Sequence, residues 1–576
     1  MTSYFLTLVF LLLSSLPLNA DEETVLKRVN AHMVIGDFSS ACQEAMNGLH
    51  QYPEAKPLWL SYIRALSKTR DEKTLIAHWS IFVEHFPAER QNREILECLA
   101  WAVIDNGSLS SSPIVRVTAL LGAFFSQDAK GVAILLKGLR DEHAGLRGAS
   151  IKLSSMLRDA SLQDEILHLL KTEKSWKVRL EAIEVIGELH MTDARKELLS
   201  IIAQNNTHIE EKVAAITALV TMSDEIDHCQ LIRLVQSDRV GMRLLACEMI
   251  AHYQQAQDID LLYPLLKDYH ADVRAKVFET IGRLRIKQIA GQNVTELAEN
   301  GTTDNDPHVA VTSAWVLTLN DSTRGQKAFV NLLQHQSIEI RHLASAALAA
   351  TGKYGMPLTL TAFQEQNDPY VKMNLALGLI GQRINSLPAS DCLYDGLTQQ
   401  KERWAWKEEG NFRILAPSKV KHDEAIPNYP EAVNQLTRLD VLEVLAMVHH
   451  PKAQQAIKSF LQERHWGISG IAAALLLTEG DEDAVDLVKQ LLNDPDQKVK
   501  VQAALILAMW GQGEDVVAFL QSSYAGADRE LKGQILEGIG RVGSNSSLGF
   551  LVEKLQEPFQ TLRIAAAAAL LECLYH

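Results

Sequence analysis

The chain has 576 residues, well beyond the length at which one hydrophobic core stops growing. Hydrophobic residues make up 47% and charged residues 22%, the balance of a folded protein rather than a disordered one. Lys and Arg total 56 against 71 Asp and Glu, a net charge of −15. With no basic excess or stripe to neutralise phosphates, nucleic acid and anionic membranes are excluded as expected ligands.

Residues Phe5 to Leu13 read FLTLVFLLL and are followed by small residues, Pro17 and Ala20. This is the apolar core and cleavage region of an export signal over residues 1–20, too short and broken to match a spanning helix. Its leading MTSY lacks the usual basic residue. The expectation is export to a periplasm or outside the cell, with no membrane span after signal removal. Retention of residues 1–20 as an anchor is the alternative. Six cysteines lie far apart and read as buried free thiols. Six N-x-[ST] triplets, starting at Asn106, Asn205, Asn293, Asn300, Asn320 and Asn545, also arise by chance at this length.

Residues 21–107 have helical patterning and a period of 34. Phe86-Pro87 repeats Tyr52-Pro53, and Gly36-Asp37-Phe38, Ala41, Leu49, Trp59 and Tyr62 fill out the first copy. This resembles a tetratricopeptide (TPR) unit. The weaker second copy, with Asp71, Phe82 and Leu96, lacks the glycine.

From residue 108 the period shortens. An aliphatic residue followed by Arg or Lys recurs as Val115-Arg116, Leu146-Arg147, Val178-Arg179, Met242-Arg243, Val273-Arg274, Ile340-Arg341 and Val371-Lys372. After a gap come Thr437-Arg438, Val499-Lys500, Leu531-Lys532 and Leu562-Arg563. Glu211-Lys212 fits the spacing, as do Val309-Ala310 and Ile468-Ser469, where the basic residue is replaced. Spacings run 31 to 33, except for 36 before Val309 and 66 before Thr437. Each unit reads as two amphipathic helices that cannot bury their apolar stripes alone and must stack. Acid-Pro pairs at Asp306-Pro307, Asp368-Pro369, Asp494-Pro495 and Glu557-Pro558 predict helix starts, with the acid as cap. The Asp-Pro, Val-Arg and Ala pattern resembles HEAT-type repeats of the short variety also found in phycobilin lyases. The resemblance spans residues 112–384 and 436–576 and implies an all-α, right-handed α-solenoid of stacked helix pairs: a TPR-like head followed by HEAT-like repeats. The expected divisions are 1–20, 21–107, 108–384 with about nine units, 385–435, and 436–576 with about five. Arg116, Arg147, Arg179, Arg243, Arg274, Arg341, Lys500 and Arg563 are expected to be stacking anchors, each bonded to an acid or carbonyl of its neighbour.

The 66-residue spacing marks an insert over 385–435 with four prolines and an aromatic set including Trp404, Trp406, Phe412 and Tyr429. Two readings compete. The aromatics either fill a gap in the stack or face a partner as hot spots. The last unit stops after one alanine-rich helix, whose apolar side calls for a cover. Self-association through this C-terminal helix is one expectation, a narrow cap the other.

No sequence motif for chemistry is present. H-E-x-x-H, phosphate loops, dinucleotide fingerprints, G-x-S-x-G and C-x-x-C are all missing. His228-Cys229 with Cys247 and His252, and His449-His450, read as structural. One HEAT-built enzyme class, the di-iron hydroxylases, carries His-Glu pairs; no His-Glu dipeptide occurs here. The expected function is a non-catalytic scaffold without cofactor or metal. It would bind a protein partner along the inner row of second helices, the TPR-like groove and the insert. A lyase- or isomerase-like enzyme with a dispersed site is the rival.

Overall fold

The computed structural model describes residues 21–126, 129–204, 206–222, 228–384, 386–419, 429–463, 482–511 and 513–575. The expected export signal at 1–20 and the anchor Ile468-Ser469 lie outside these residues. The fold is all-α apart from two β-hairpins among the described residues, Gln288–Asn293 and Trp404–Pro417. Two compact units are formed. One combines the residues up to Ile134 with those from Tyr524 onward, and the other is Leu135–Ser523. Each is a stack of helix pairs, as in a solenoid.

The 34-residue period of the N-terminal stretch is visible in its backbone. Asp37 caps Phe38–Gln51 and Asp71 caps Glu72–His85, each accepting from the backbone N–H three residues on. The closing residues Tyr52 and Phe86 share nearly the same dihedrals, with φ of −127° and −126°. Gly36 has φ +78°; where the second copy lacks glycine, Arg70 takes φ +65° instead.

In the repeats, the first helix of each unit starts just ahead of its anchor. The small residue three positions after the anchor is fully buried in many units, as at Ala119, Ala182, Ala215, Ala246, Ala344, Ala503 and Ala566. Neighbouring first helices can therefore approach closely. Asp306 and Asp368 cap helices that begin at Pro307 and Pro369. The other two acid-Pro pairs depart from this pattern. Helices begin later, at Gln497 and Gln560, and the Asp494 and Glu557 carboxylates instead meet Lys458 (2.6 Å) and Lys532 (3.4 Å). The 36-residue spacing is explained by the Gln288–Asn293 hairpin. Its turn residues Ala290 and Gly291 both have positive φ, the twist that suits a two-residue hairpin.

The longer spacing does not come from a missing unit. Pro369–Gly381 and Ser386–Gln399 form a complete pair, after which the chain makes a hairpin before Tyr429–Met447. Strands Trp404–Glu409 and Phe412–Pro417 pair antiparallel in register Trp404 with Pro417 through Glu409 with Phe412. Gly410, φ +58°, turns the tip.

The final helix, Gln560–Tyr575, is not an open edge. It packs on Arg529–Val542 on one side and on Arg93–Ser108 and Pro113–Phe125 on the other, so its apolar face is covered by the chain's own N-terminal helices. Ala566, Ala567, Leu570 and Leu571 are buried there. A Cβ on Gly107 would lie 2.4 Å from Ile564 Cδ1, so glycine is what lets these helices touch. The apolar surface that motivated self-association is thus already filled from within.

Candidate protein-binding surface

The anchors form a ladder with one rule. Arg147, Arg179, Arg243, Arg274 and Arg563 donate from Nη1 to the carbonyl six residues back, at 2.8–3.0 Å. Arg116 and Arg341 do the same to Ser110 and His335. The remaining guanidinium nitrogens turn to a carboxylate of the following unit. Arg147 binds Glu173, Arg179 binds Glu211, Arg243 binds Asp268 and Arg274 binds Asp304, each through two nitrogens. Glu173 and Asp268 are themselves the residues whose carbonyls hold the next arginine. One loop residue therefore serves two units, with its backbone to its own and its side chain to the one before. Lys500 contributes charge to the field on Asp494. Such bidentate pairing spends the guanidinium on the stack, leaving no arginine row for a phosphate ligand.

Arg563 takes its carboxylate from the other end of the chain. Its carboxylate is Glu72, 491 residues earlier in sequence, at 2.8 Å. Glu72 also accepts from Asn106. The N-terminal helices thus take the place of the next unit.

The insert meets the first helices, not the second. Its tip lies at Ala271–Arg283, where Asn411 donates to the Glu279 carbonyl (3.1 Å) and a Cβ on Gly410 would overlap the Glu279 carboxylate. Phe412 packs edge-on to Trp315 of Pro307–Asn320, ring centres 5.4 Å apart. Trp404 lies under Arg438 and beside Tyr370. Asn374 accepts from the N–H and donates to the C=O of Leu415, while Asn434 accepts from the Trp404 N–H. Two helix asparagines therefore satisfy the strand edges that a further strand would otherwise take. Buried residues lie on both faces of the hairpin: Trp404 and Leu415 on one, Phe412 and Ile414 on the other. It is clasped by the helices.

This corrects the partner-facing reading for two residues. Trp404 and Phe412 are buried within the chain, since each fills a site between first helices. Trp406 is half-buried, donates from Nε1 to Asp440 (2.6 Å) and lies under Arg413. Tyr429 opens the Tyr429–Met447 helix; its side chain lies outside the described residues. Beneath the hairpin tip, Lys276 pairs with Glu248 and Glu279. Burial works against its charge, but the two carboxylates outweigh burial and hold the ammonium above its usual range.

An exposed aromatic sits elsewhere. In the unit of Arg243 the second helix is replaced by two 3₁₀ segments, Ala256–Leu262 and Pro264–Lys267. Pro264 cannot donate within a helix and breaks it. The looser packing leaves a groove of about 410 Å³ walled by Ile232, Val235, Leu261, Pro264 and Leu265. At its rim Tyr269 is 74% exposed. Its ring lies 4.7 Å from the Arg243 guanidinium and its hydroxyl donates to the Asp238 carbonyl (3.3 Å). Both ties fix the exposed ring at the rim. The Arg243–Asp268 pair, with 5% exposure on each side chain, fixes the base. Sequence reading missed Tyr269 because it follows an anchor's acid in a loop and belongs to no pattern; Pro264 inside DLLYPLLKD was the available signal.

Among the described residues no group of three His, Cys, Asp or Glu is placed to hold a metal. The cysteines are free thiols; burial pushes Cys247 up to about 12.

Residues 485–571 match the family of HEAT repeats. That stretch carries HEAT repeats. No curated protein matches it. Among solved structures it is similar to yeast importin-β (Kap95p), with 12% identity, 81% of this chain and 72% of that chain covered and a TM-score of 0.34. The UNC-45 chaperone, described as binding and folding muscle myosin, shows 13% identity, 93% and 73% coverage and a TM-score of 0.31. Human deoxyhypusine hydroxylase shows 16% identity over 44% of this chain and 96% of its own, TM-score 0.21. No helix among the described residues is long and apolar enough to cross a membrane.

Proposed function

We propose that this HEAT-repeat chain is a non-catalytic scaffold, exported by way of residues 1–20 to a periplasm or the cell exterior, that holds another protein. The observation that carries this reading is the fixed, exposed Tyr269 beside an apolar groove. Tyrosine and arginine in that setting are the usual anchors of protein interfaces. The occupant is a partner polypeptide that inserts one bulky aliphatic or aromatic side chain between Leu261 and Leu265 and packs against the Tyr269 ring. The TPR-like head serves as a cap for the array, and the hairpin as its internal brace.

The test is co-purification of the full chain from its own compartment, with crosslinking from position 236, where exposed Gln236 lines the same groove. Tyr269→Ala lowers recovery of the crosslinked polypeptide about tenfold, as loss of a hot spot does, while Tyr354→Ala leaves it unchanged. Equal recovery from both variants, or a chromophore or metal bound in the purified protein, contradicts the proposal.

A further inference from the structure

The seam where the C-terminal helix meets the N-terminal helices buries an acid that its surroundings pair poorly. Glu572, on Gln560–Tyr575, is 9% exposed. Its Oε1 lies 3.6 Å from Nη1 of Arg541, outside good hydrogen-bond geometry. Its Oε2 presses on the backbone of Arg529–Val542, where a Cβ on Gly540 would stand 2.3 Å away. Arg541 is occupied on its other side, with its guanidinium 4.2 Å above the ring of Phe125 at the end of Pro113–Phe125. Its Nε is buried without an acceptor. One cation thus links three helices of the seam, yet it gives Glu572 no close hydrogen bond.

Arg529–Val542 contributes Arg541 and, one turn earlier, the carboxylate Glu537, which opposes a second negative charge. On Arg93–Ser108, Arg93 is bound to Glu97 and covers Tyr575. Pro113–Phe125 carries Arg116, bonded to the Ser110 and Ser111 carbonyls at the far end. On Leu548–Lys554, Lys554 and Glu553 pair at 2.7 Å.

We infer that the seam is a proton-dependent latch, closed most firmly when the Glu572 carboxyl is protonated and loosened when it ionises. An ionised carboxylate there would be a buried charge facing one shared cation, whereas a protonated one is a neutral group in an apolar seam. Burial, with Glu537 adding and Arg541 opposing, pushes Glu572 up to about 7 from an ordinary 4.5. The closed seam therefore binds this proton more tightly than the open one. Its stabilisation is complete below the ordinary carboxylate range and is lost as pH rises towards about 7.

Hydrogen exchange of the Ala566–Leu571 amides in the full chain tests this, with rates corrected for intrinsic pH dependence. Protection in the unaltered protein falls about tenfold or more from about pH 5.5 to about pH 8, and the Ala119–Ala123 amides fall with it. Glu572→Gln holds protection within about twofold over that range, and Glu537→Gln reduces the fall. Overturning results are a flat profile in the unaltered protein or an equal fall in Glu572→Gln. Should that variant not fold, the unaltered profile and Glu537→Gln decide.

Discussion

At Arg147, Arg179, Arg243 and Arg274 the guanidinium is divided between two units, and the division explains why the basic residue recurs. A carbonyl six residues back fixes Nη1, so the fork already points at the next unit before the carboxylate arrives. Arg243 is the most enclosed case, with 5% exposure on both partners. Arg243→Ala leaves Asp268 buried without its cation and costs about 3 kcal/mol. Arg243→Lys keeps the charge, loses the two-pronged bond and costs about half as much. Local unfolding by hydrogen exchange around Val273–Phe278 measures both. The same carboxylates set the acid limit. Arg274 holds Asp304 below its ordinary value; for Glu173, burial opposes but Arg147 and the Ser175 N–H prevail. Their stabilisation is present above the ordinary carboxylate values and is lost as pH falls through the lowered ones. Stability within Leu135–Ser523 should therefore fall steeply below about pH 4, opposite in sign to the Glu572 latch. Circular dichroism across that range reads it, and a flat profile counts against the ladder.

Among the elements, the paired helices were legible because their apolar stripes and 31-residue period are local features. The anchors were legible too, but their acids were not, because an acid six residues before the next anchor resembles any loop carboxylate. The hairpin could have been read. Residues 404–417, WAWKEEGNFRILAP, centre on Gly-Asn between aromatic and aliphatic runs, a known hairpin signal. What it packs against could not, since Glu279 is remote in sequence and contacts of that kind leave no period. Asn374 was the overlooked mark: a polar residue inside the apolar first helix KMNLALGLI, buried to pair with a strand edge. Asn374→Ala strips partners from the Leu415 N–H and C=O and costs about 2–4 kcal/mol. Asn374→Asp restores only the acceptor and recovers part of that loss. Thermal unfolding separates the two, and no shift in either would mean the hairpin is not held by this residue.

For the molecule as a whole, the sequence divides in chain order, whereas packing joins the two ends. In the sequence the last helix reads as an open apolar edge. The surface that covers it comes from Arg93–Ser108, of the 34-residue period, and Pro113–Phe125, the first helix of the shorter one, about 450 residues away, and no local pattern announces such a contact. Gly107 and Glu72 are the residues through which it is made, and neither stands out in a sequence of this length. Truncation before Leu562 should uncover the surface around Gly107, Ala119 and Gly122 and drive association that light scattering detects, because uncovered apolar faces recruit one another. A truncated chain as monodisperse as the full one would argue that these helices do not need the cover.

The closure of the ends is open to a direct covalent check. A Cβ at Gly122 would lie 3.3 Å from Cβ of Ala568, close to the separation a disulfide spans. In Gly122→Cys/Ala568→Cys, mild oxidation should join positions 122 and 568 in the folded chain, seen as one linked peptide pair by mass spectrometry. A chain that stays folded yet leaves both thiols reduced, or links them only to the native cysteines, would contradict the seating of the C-terminal helix on the N-terminal ones.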